Sequence, residues 1–364
     1  MVDISRSPVG RARLRERLFA VIVPMASMIF AFAAAELAAR AFGSDAKRWE
    51  WRNFIVEPLP LENRWRVIEP DAELGYAPRP GGHSDQRGLG RLTFDERGLR
   101  AHHDRPPFYA SATPLLVVGD SYAMGEQVGD DQTFPAHLQA ALGRPVLNGG
   151  VFGYGLDQIV LRAERLVPRF APDTLVLSFI ADDVRRTRMS ILWGLPKPYF
   201  IVENGRLVLR NVPVPPRPSA AVGPVRSVLG YSFLADVLAR RLELDPWWLR
   251  GQPLHAEAEH DDGLRVSCLL MARLRRLAET HRLRVLVVGQ YTPDAWRRAS
   301  TRRFEIANVA PVLACARNQG FDTLDTREHI EHAVRRDGVD RHYVDKHMSD
   351  EGNRLMAELI LRRL

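Results

Sequence analysis

The chain has 364 residues, 46% of them hydrophobic and 26% charged, which is ordinary for a globular protein and enough to bury a sizeable core. Its formal charge of +7 comes mainly from scattered arginines. With no basic helix interleaved with aromatics, that pattern argues against nucleic-acid binding. Two cysteines, Cys268 and Cys315, are too few for a Cys-rich metal site. Both fall in predicted helices among apolar neighbours, so two buried free thiols are expected, although an exported location permits a disulfide.

In chain order, Arg6, Arg11, Arg13, Arg15 and Arg17 lead into the uncharged run LFAVIVPMASMIFAFAAA, residues 18–35. Its length is close to the ~20 residues that cross a bilayer. Basic residues before such a run stay cytoplasmic and place the rest of the chain outside. Small residues at Ala33–Ala35 would also suit a signal peptidase, but the length favours an uncleaved anchor over a signal peptide or a surface amphipathic helix. The expected order is a basic cytoplasmic segment (1–17), a transmembrane signal anchor (18–40), a connector with a small N-terminal region (41–113), and a main domain (114–364). Residues 44–63 read as a polar connector with Pro58 and Pro60, and 64–108 as short strands and turns.

From residue 114 strands and helices alternate. Strands are expected at 115–119, 145–148, 174–180, 284–289 and 321–324, and helices at 131–142, 156–167, 265–282, 302–318 and 350–363. That alternation predicts an α/β domain with a parallel sheet covered on both faces. An insertion, 181–264, holds a hairpin signal at Asn204-Gly205, a run with Pro213, Pro215, Pro216 and Pro218, and a helix over about 226–243. The acidic stretch 255–263 lacks metal-ligand spacing and reads as a solvated linker. Glu328, His329 and His332, like His102-His103, read as solvated surface, so no metal is expected.

The strand at 115–119 stops at Gly119-Asp120-Ser121, and such strand ends face the crevice where open α/β sheets bind ligands. Gly-Asp-Ser also makes ordinary turns and caps, so the rest of the edge matters. The second strand ends in Asn148 with Gly149, Gly150, Gly153 and Gly155, where a backbone N–H can approach a ligand closely. The third ends in Asp182 and Asp183. Near the C-terminus, Asp345 and His347 are two apart, which on an extended backbone projects both to one side. A carboxylate there would fix the histidine tautomer, and Ser349 would cap the last helix.

Four segments, GDSYAMGEQV, NGGVFGYG, FIADDV and DKHMSDEGNRLMAELI, resemble in order the blocks of the SGNH/GDSL hydrolase superfamily, membrane-anchored bacterial type. The resemblance implies a flavodoxin-like three-layer α/β/α domain, the SGNH hydrolase fold. It implies Ser121 as nucleophile, His347 as general base and Asp345 as its orienting carboxylate. The oxyanion hole would use the N–H groups of Ser121 and Gly153. Its third donor, an asparagine in the family, falls on Asp182, which has no amide. Asp182 is therefore expected either to be protonated or to turn towards Arg185 or Arg186. The spacing Asp-Lys-His is also shorter than the usual Asp-x-x-His.

The expected function is an exported serine ester hydrolase acting on an acylated or acetylated glycan or lipid. Its partners would be an acyl-ester substrate, such as a cell-envelope glycan, and the inner membrane, crossed once with the catalytic domain periplasmic or extracellular. No cofactor is implied. An O-acyltransferase and a weakened glycan-binding scaffold are the alternatives. The hairpin in the insertion is expected to overhang the crevice and set substrate choice.

Overall fold

The computed structural model describes residues 8–43, 48–49, 54, 67–86, 90–102, 112–215, 223–248, 255–257 and 262–364. Most of the expected connector at 44–63, His103, Pro216 and Pro218 lie outside the described residues, as does 258–261 of the acidic stretch.

Five short apolar strands form the centre: β1 (Leu115–Val118), β2 (Val146–Asn148), β3 (Thr174–Phe179), β4 (Arg284–Gly289) and β5 (Asp322–Asp325). They are hydrogen-bonded in the order β5-β4-β3-β1-β2, all parallel. Read from the other edge this is the 2-1-3-4-5 order of flavodoxin-like sheets. Successive side chains alternate between two cores. Leu116, Val118, Leu175, Leu177, Val285 and Val287 face one, whereas Leu115, Val117, Val146, Val176, Leu286 and Val288 face the other. A strand buried on both sides must be apolar at every position, which is why these segments read as unbroken hydrophobic runs.

Helix α1 (Pro8–Phe42) opens the chain. The one-turn α2 (Ser121–Met124), then α3 (Phe134–Leu142), α4 (Leu156–Phe170) and α5 (Ala181–Arg186), accompany β1 to β3. The insertion carries α6 (Pro224–Leu229), α7 (Phe233–Arg241) and α8 (Asp245–Trp248). The remainder are α9 (Gly263–His281), α10 (Pro293–Arg297), α11 (Ala299–Asn318), α12 (Arg327–Asp337), α13 (Val339–His342) and α14 (Asp350–Leu361). Helices α4, α9 and α11 pack on one face of the sheet and α3, α12 and α14 on the other. The three-layer arrangement expected from the sequence is thus observed.

Two compact units divide the chain. Met1–Pro58 with Pro218–Pro253 form one, and Leu59–Arg217 with Leu254–Leu364 form the other. The first holds α1, whose Phe19–Phe42 stretch of 24 residues contains a window of mean hydropathy 2.0 and is long and apolar enough to cross a membrane. It also holds α6 to α8. The single helix expected over 226–243 is interrupted after Leu229, because Ser232 starts α7 afresh by accepting the Ala235 N–H at 3.0 Å.

Three expectations are corrected in the larger unit. Cys268 and Cys315 form a disulfide rather than two free thiols, since α9 and α11 lie side by side and bring their Cα atoms to 5.2 Å. The hairpin Tyr199–Glu203/Arg206–Arg210 turns at Asn204-Gly205, both at positive φ, as predicted. It packs Phe200, Leu207 and Leu209 onto the core beside α4 and α9, so it is a structural arm and not an overhanging lid. His102 is buried, not solvated. Burial, with the charge of Arg100 beside it, pushes its pKa down to about 4. Glu328, His329 and His332 are exposed on α12.

His102 gives a pH signature. Its folded pKa lies below the unfolded ~6.5, so between those values the unfolded chain binds the extra proton and stability falls as pH drops. The His102 share of that loss is on the order of 3 kcal/mol from pH 6.5 to 4. Chemical denaturation across this window should show wild type losing on the order of 3 kcal/mol more than His102→Gln between pH 6.5 and 4.

Candidate active site

At the end of β1 the chain turns sharply. Asp120 caps α2, its carboxylate accepting the Tyr122 N–H at 2.9 Å, and Gly125 ends the helix at φ 78°. Ser121 is therefore the first residue of a four-residue helix, too short for a substantial dipole. What the turn offers is the Ser121 hydroxyl and backbone N–H at the sheet edge. The segment after β2 packs hard against it. Asn148 Nδ2 donates to Ala123 O at 3.0 Å while its Oδ1 accepts the Gly150 N–H at 3.0 Å. A Cβ at Gly150 would lie 2.4 Å from Met124 N, so only glycine fits. Gly153 follows at φ 70°, where a Cβ would run into the Trp193 ring.

His347 arrives from the far end of the chain. Val344 and His347 pair across a two-residue turn, Asp345-Lys346, held by a hydrogen bond from Tyr122 Oη to Lys346 O at 2.6 Å. Ser349 caps α14 as expected, accepting the Gly352 N–H at 3.1 Å. The result is His347 Nε2 at 2.8 Å from Ser121 Oγ, across 226 residues of sequence. The Glu126 carboxylate lies 3.5 Å from the same nitrogen.

The expected direct contact between Asp345 and His347 is replaced by a bridge. Asp345 sits at φ 52° in the turn, so the alternation of an extended strand does not apply to it. Its carboxylate accepts from Gln127 Nε2 at 3.3 Å, and Gln127 Oε1 lies 3.2 Å from His347 Nδ1. A carboxylate only accepts, so it orients the amide with Oε1 towards the ring. That orientation makes Nδ1 the protonated nitrogen and leaves Nε2 bare to accept the Ser121 hydroxyl. Gln127 and Glu126 were not predicted. They come directly after the left-handed Gly125, and nothing local in GEQV says that the turn returns them to a histidine 220 residues away.

Beneath Ser121 lies a charged cluster around Arg186. Its guanidinium donates to Asp183 Oδ1 at 2.7 Å and to Tyr154 O at 3.2 Å. It lies 3.8 Å from Asp182 and 3.9 Å from Asp120. Burial raises the pKa of Asp120 to about 6 against the pull of Arg186. Burial and then Asp120 raise that of Asp183. Asp182 differs. Burial opposes its ionisation, but Arg186 and Arg185 together hold its carboxyl below the usual range, and Arg185 Nε donates to it at 3.1 Å. An ionised carboxylate has no hydrogen to give, so Asp182 does not serve as the third oxyanion donor. It has turned to its arginines.

A cavity of about 310 Å³ opens above the cluster, and Ser121, Gly153, Asp182, Arg186, Trp193 and His347 are among the residues that line it. Trp193 comes from the insertion, at a turn between Met189–Leu192 and Leu195–Pro196. It, rather than the hairpin after it, walls the cavity. No residue set among the described residues has the makings of a metal site.

No family model and no curated protein matches the chain. Solved structures do. LAE5, an alpha/beta hydrolase enzyme from the metagenome of Lake Arreo, is 13% identical, with 71% of this chain and 97% of that one covered at a TM-score of 0.42. A member of the lipolytic protein G-D-S-L family from Veillonella parvula is 12% identical, covering 69% and 97%, at 0.40. Axe2, an acetylxylan esterase from Geobacillus stearothermophilus, is 16% identical, covering 70% and 94%, at 0.39. Likenesses this distant leave the chemistry to be read from the site itself.

Removing Arg186 would strand Asp183 in the interior. Breaking a buried ion pair by deleting one partner costs about 3–5 kcal/mol. Arg186→Met should lower the unfolding free energy by that amount in equilibrium denaturation, with Arg186→Met/Asp183→Leu recovering much of the loss.

Proposed function

We propose that the chain is a membrane-anchored serine ester hydrolase acting outside the cytoplasm on an acylated or acetylated glycan or lipid. The observation that carries this reading is the 2.8 Å contact of His347 Nε2 with Ser121 Oγ, a nucleophile paired with a base whose other nitrogen is oriented. Ser121 Oγ attacks the ester carbonyl as His347 Nε2 takes its proton. The oxyanion is met by the N–H groups of Ser121 and Gly153. His347⁺, facing the Glu126 carboxylate, protonates the departing alcohol. Water then enters, gives one proton to His347 and attacks the acyl carbonyl, and His347 returns that proton to Ser121 Oγ as the acyl–oxygen bond breaks and the carboxylic acid leaves. Asp345 acts through Gln127 as a positioning residue.

The size of the cavity, about 310 Å³, suits a short acyl group better than a long chain. The order of the four sequence blocks supports the same chemistry. Export is supported by the apolar α1, by the arginines before it, and by the Cys268–Cys315 disulfide, which is stable in oxidising compartments.

Wild type should react with a fluorophosphonate at Ser121 and hydrolyse acetyl esters. Ser121→Ala should lose both labelling and all but a trace of turnover, and comparable turnover by the alanine variant would remove the assignment. Asp182→Asn should stay within about threefold of wild type at every pH, because Arg185 and Arg186 already pair its carboxylate. Gln127→Ala should lose about 10–100-fold in kcat with little change in KM, the size expected for losing a group that orients a base.

A further inference from the structure

The smaller unit carries a feature that hydrolysis does not use. Glu36, near the end of the apolar stretch of α1, accepts four hydrogen bonds. Ser232 Oγ donates at 2.7 Å, the Phe233 and Leu234 N–H groups at 2.9 Å each, and Arg40 Nε at 2.6 Å. The N-terminus of α7 is therefore fastened to a side chain of the apolar helix itself. Arg40 adds a contact to Tyr231 O at 3.3 Å, and Phe54 packs on Phe233 with ring centroids 5.4 Å apart.

That attachment fixes a depth. From Phe19 to Ala35 the helix rises about 26 Å at 1.5 Å per residue, close to the ~30 Å hydrocarbon core. Glu36 then falls at the boundary with the headgroups, and α6 to α8 start at that level. Their exposed surface sets apolar side chains among the charges of Arg240, Arg241 and Glu243. Val225, Val228 and Leu229 have i, i+3, i+4 spacing on α6 and share one face, and Leu242, the C-cap of α7, donates its N–H to Leu238 O at 2.9 Å and follows Leu238 one turn on. Val225 is 67% exposed, Val228 73%, Leu242 65% and Trp247 50%. Arg226 lies over the Trp247 ring at 5.6 Å, and Arg241 is exposed nearby in sequence. Tryptophan and arginine among apolar side chains suit the headgroup layer, where the ring and the aliphatic stem enter lipid and the polar ends stay wet.

We propose that residues 223–248 form an interfacial foot, lying in the outer headgroup region of the same bilayer that α1 crosses. The occupant of its apolar face is lipid. Continuity with the span argues for this over a second copy of the chain, because Glu36 joins the two in one hydrogen-bonded knot. The proposal rests on α1 being retained as an anchor, and intact mass of the purified protein tests that separately.

The experiment uses the full chain in nanodiscs of phosphatidylcholine with phosphatidylglycerol. Val228→Cys and Leu242→Cys are labelled with bimane, the native cysteines being paired. Lipids carrying a nitroxide near the headgroup should quench both labels at least twofold, while aqueous iodide quenches them much less than it does after detergent solubilisation and unfolding. Quenching by iodide alone would put the surface in water and overturn the proposal. Protection from both quenchers, or a Val228→Cys disulfide linking two chains, would put protein there and overturn it as well. Loss of α1 in the intact mass would fail the anchor reading instead.

Discussion

One buried arginine balances the carboxylates that crowd this sheet edge. Asp120, Asp182 and Asp183 crowd the ends of β1 and β3, and an ionised carboxylate ~4 Å from an oxyanion would repel it by about 4 kcal/mol at an effective dielectric near 20. Arg186 answers all three, with Arg185 helping at Asp182. Asp182 is left ionised and paired, and at Asp120 and Asp183 the pull of Arg186 works against burial, which raises the pKa of both. The same arginine stacks near Trp193, so the group that balances the charge also steadies the cavity wall. The geometry of the site therefore depends on a residue that need not touch the reacting atoms.

The second dependence is on a chain of orientation. The carboxylate of Asp345 can only accept, which orients Gln127, which selects the tautomer of His347, which leaves Nε2 facing Ser121. Two longer hydrogen bonds through an amide replace one direct contact with a carboxylate. The negative charge is thereby moved further from the imidazolium, and Glu126, 3.5 Å from Nε2, supplies a nearer one. Compared with a directly paired histidine, stabilisation of the protonated ring is shifted from the Nδ1 side to the Nε2 side.

Much of the fold was legible because burial on both faces leaves a plain trace: Leu115–Val118 and Thr174–Phe179 are apolar through nearly all of their length and buried at every position. Ser121 stood out because it follows directly on the end of an apolar strand, whereas Gly153 and His347 were singled out by the resemblance of their segments to the family's blocks. What failed to show were properties of tertiary packing. The φ of Asp345 breaks an alternation that sequence spacing assumes. Gln127 matters only because Gly125 turns the chain back. Cys268 and Cys315 meet because two helices are neighbours, which neither helix encodes alone. Trp193 was missed in favour of the hairpin, whose Asn-Gly turn is the louder signal but whose apolar residues belong to the core.

The central claim is that acyl transfer passes through a covalent intermediate on Ser121, formed with His347 as base. Its most direct test is partitioning. A series of acetyl esters with different leaving alcohols is turned over in water containing methanol, and the ratio of methyl acetate to acetate is measured. A common acetyl-Ser121 predicts one ratio for every ester, whatever the leaving group. A ratio that changes with the leaving alcohol would mean that water attacks the ester directly, and would contradict the account.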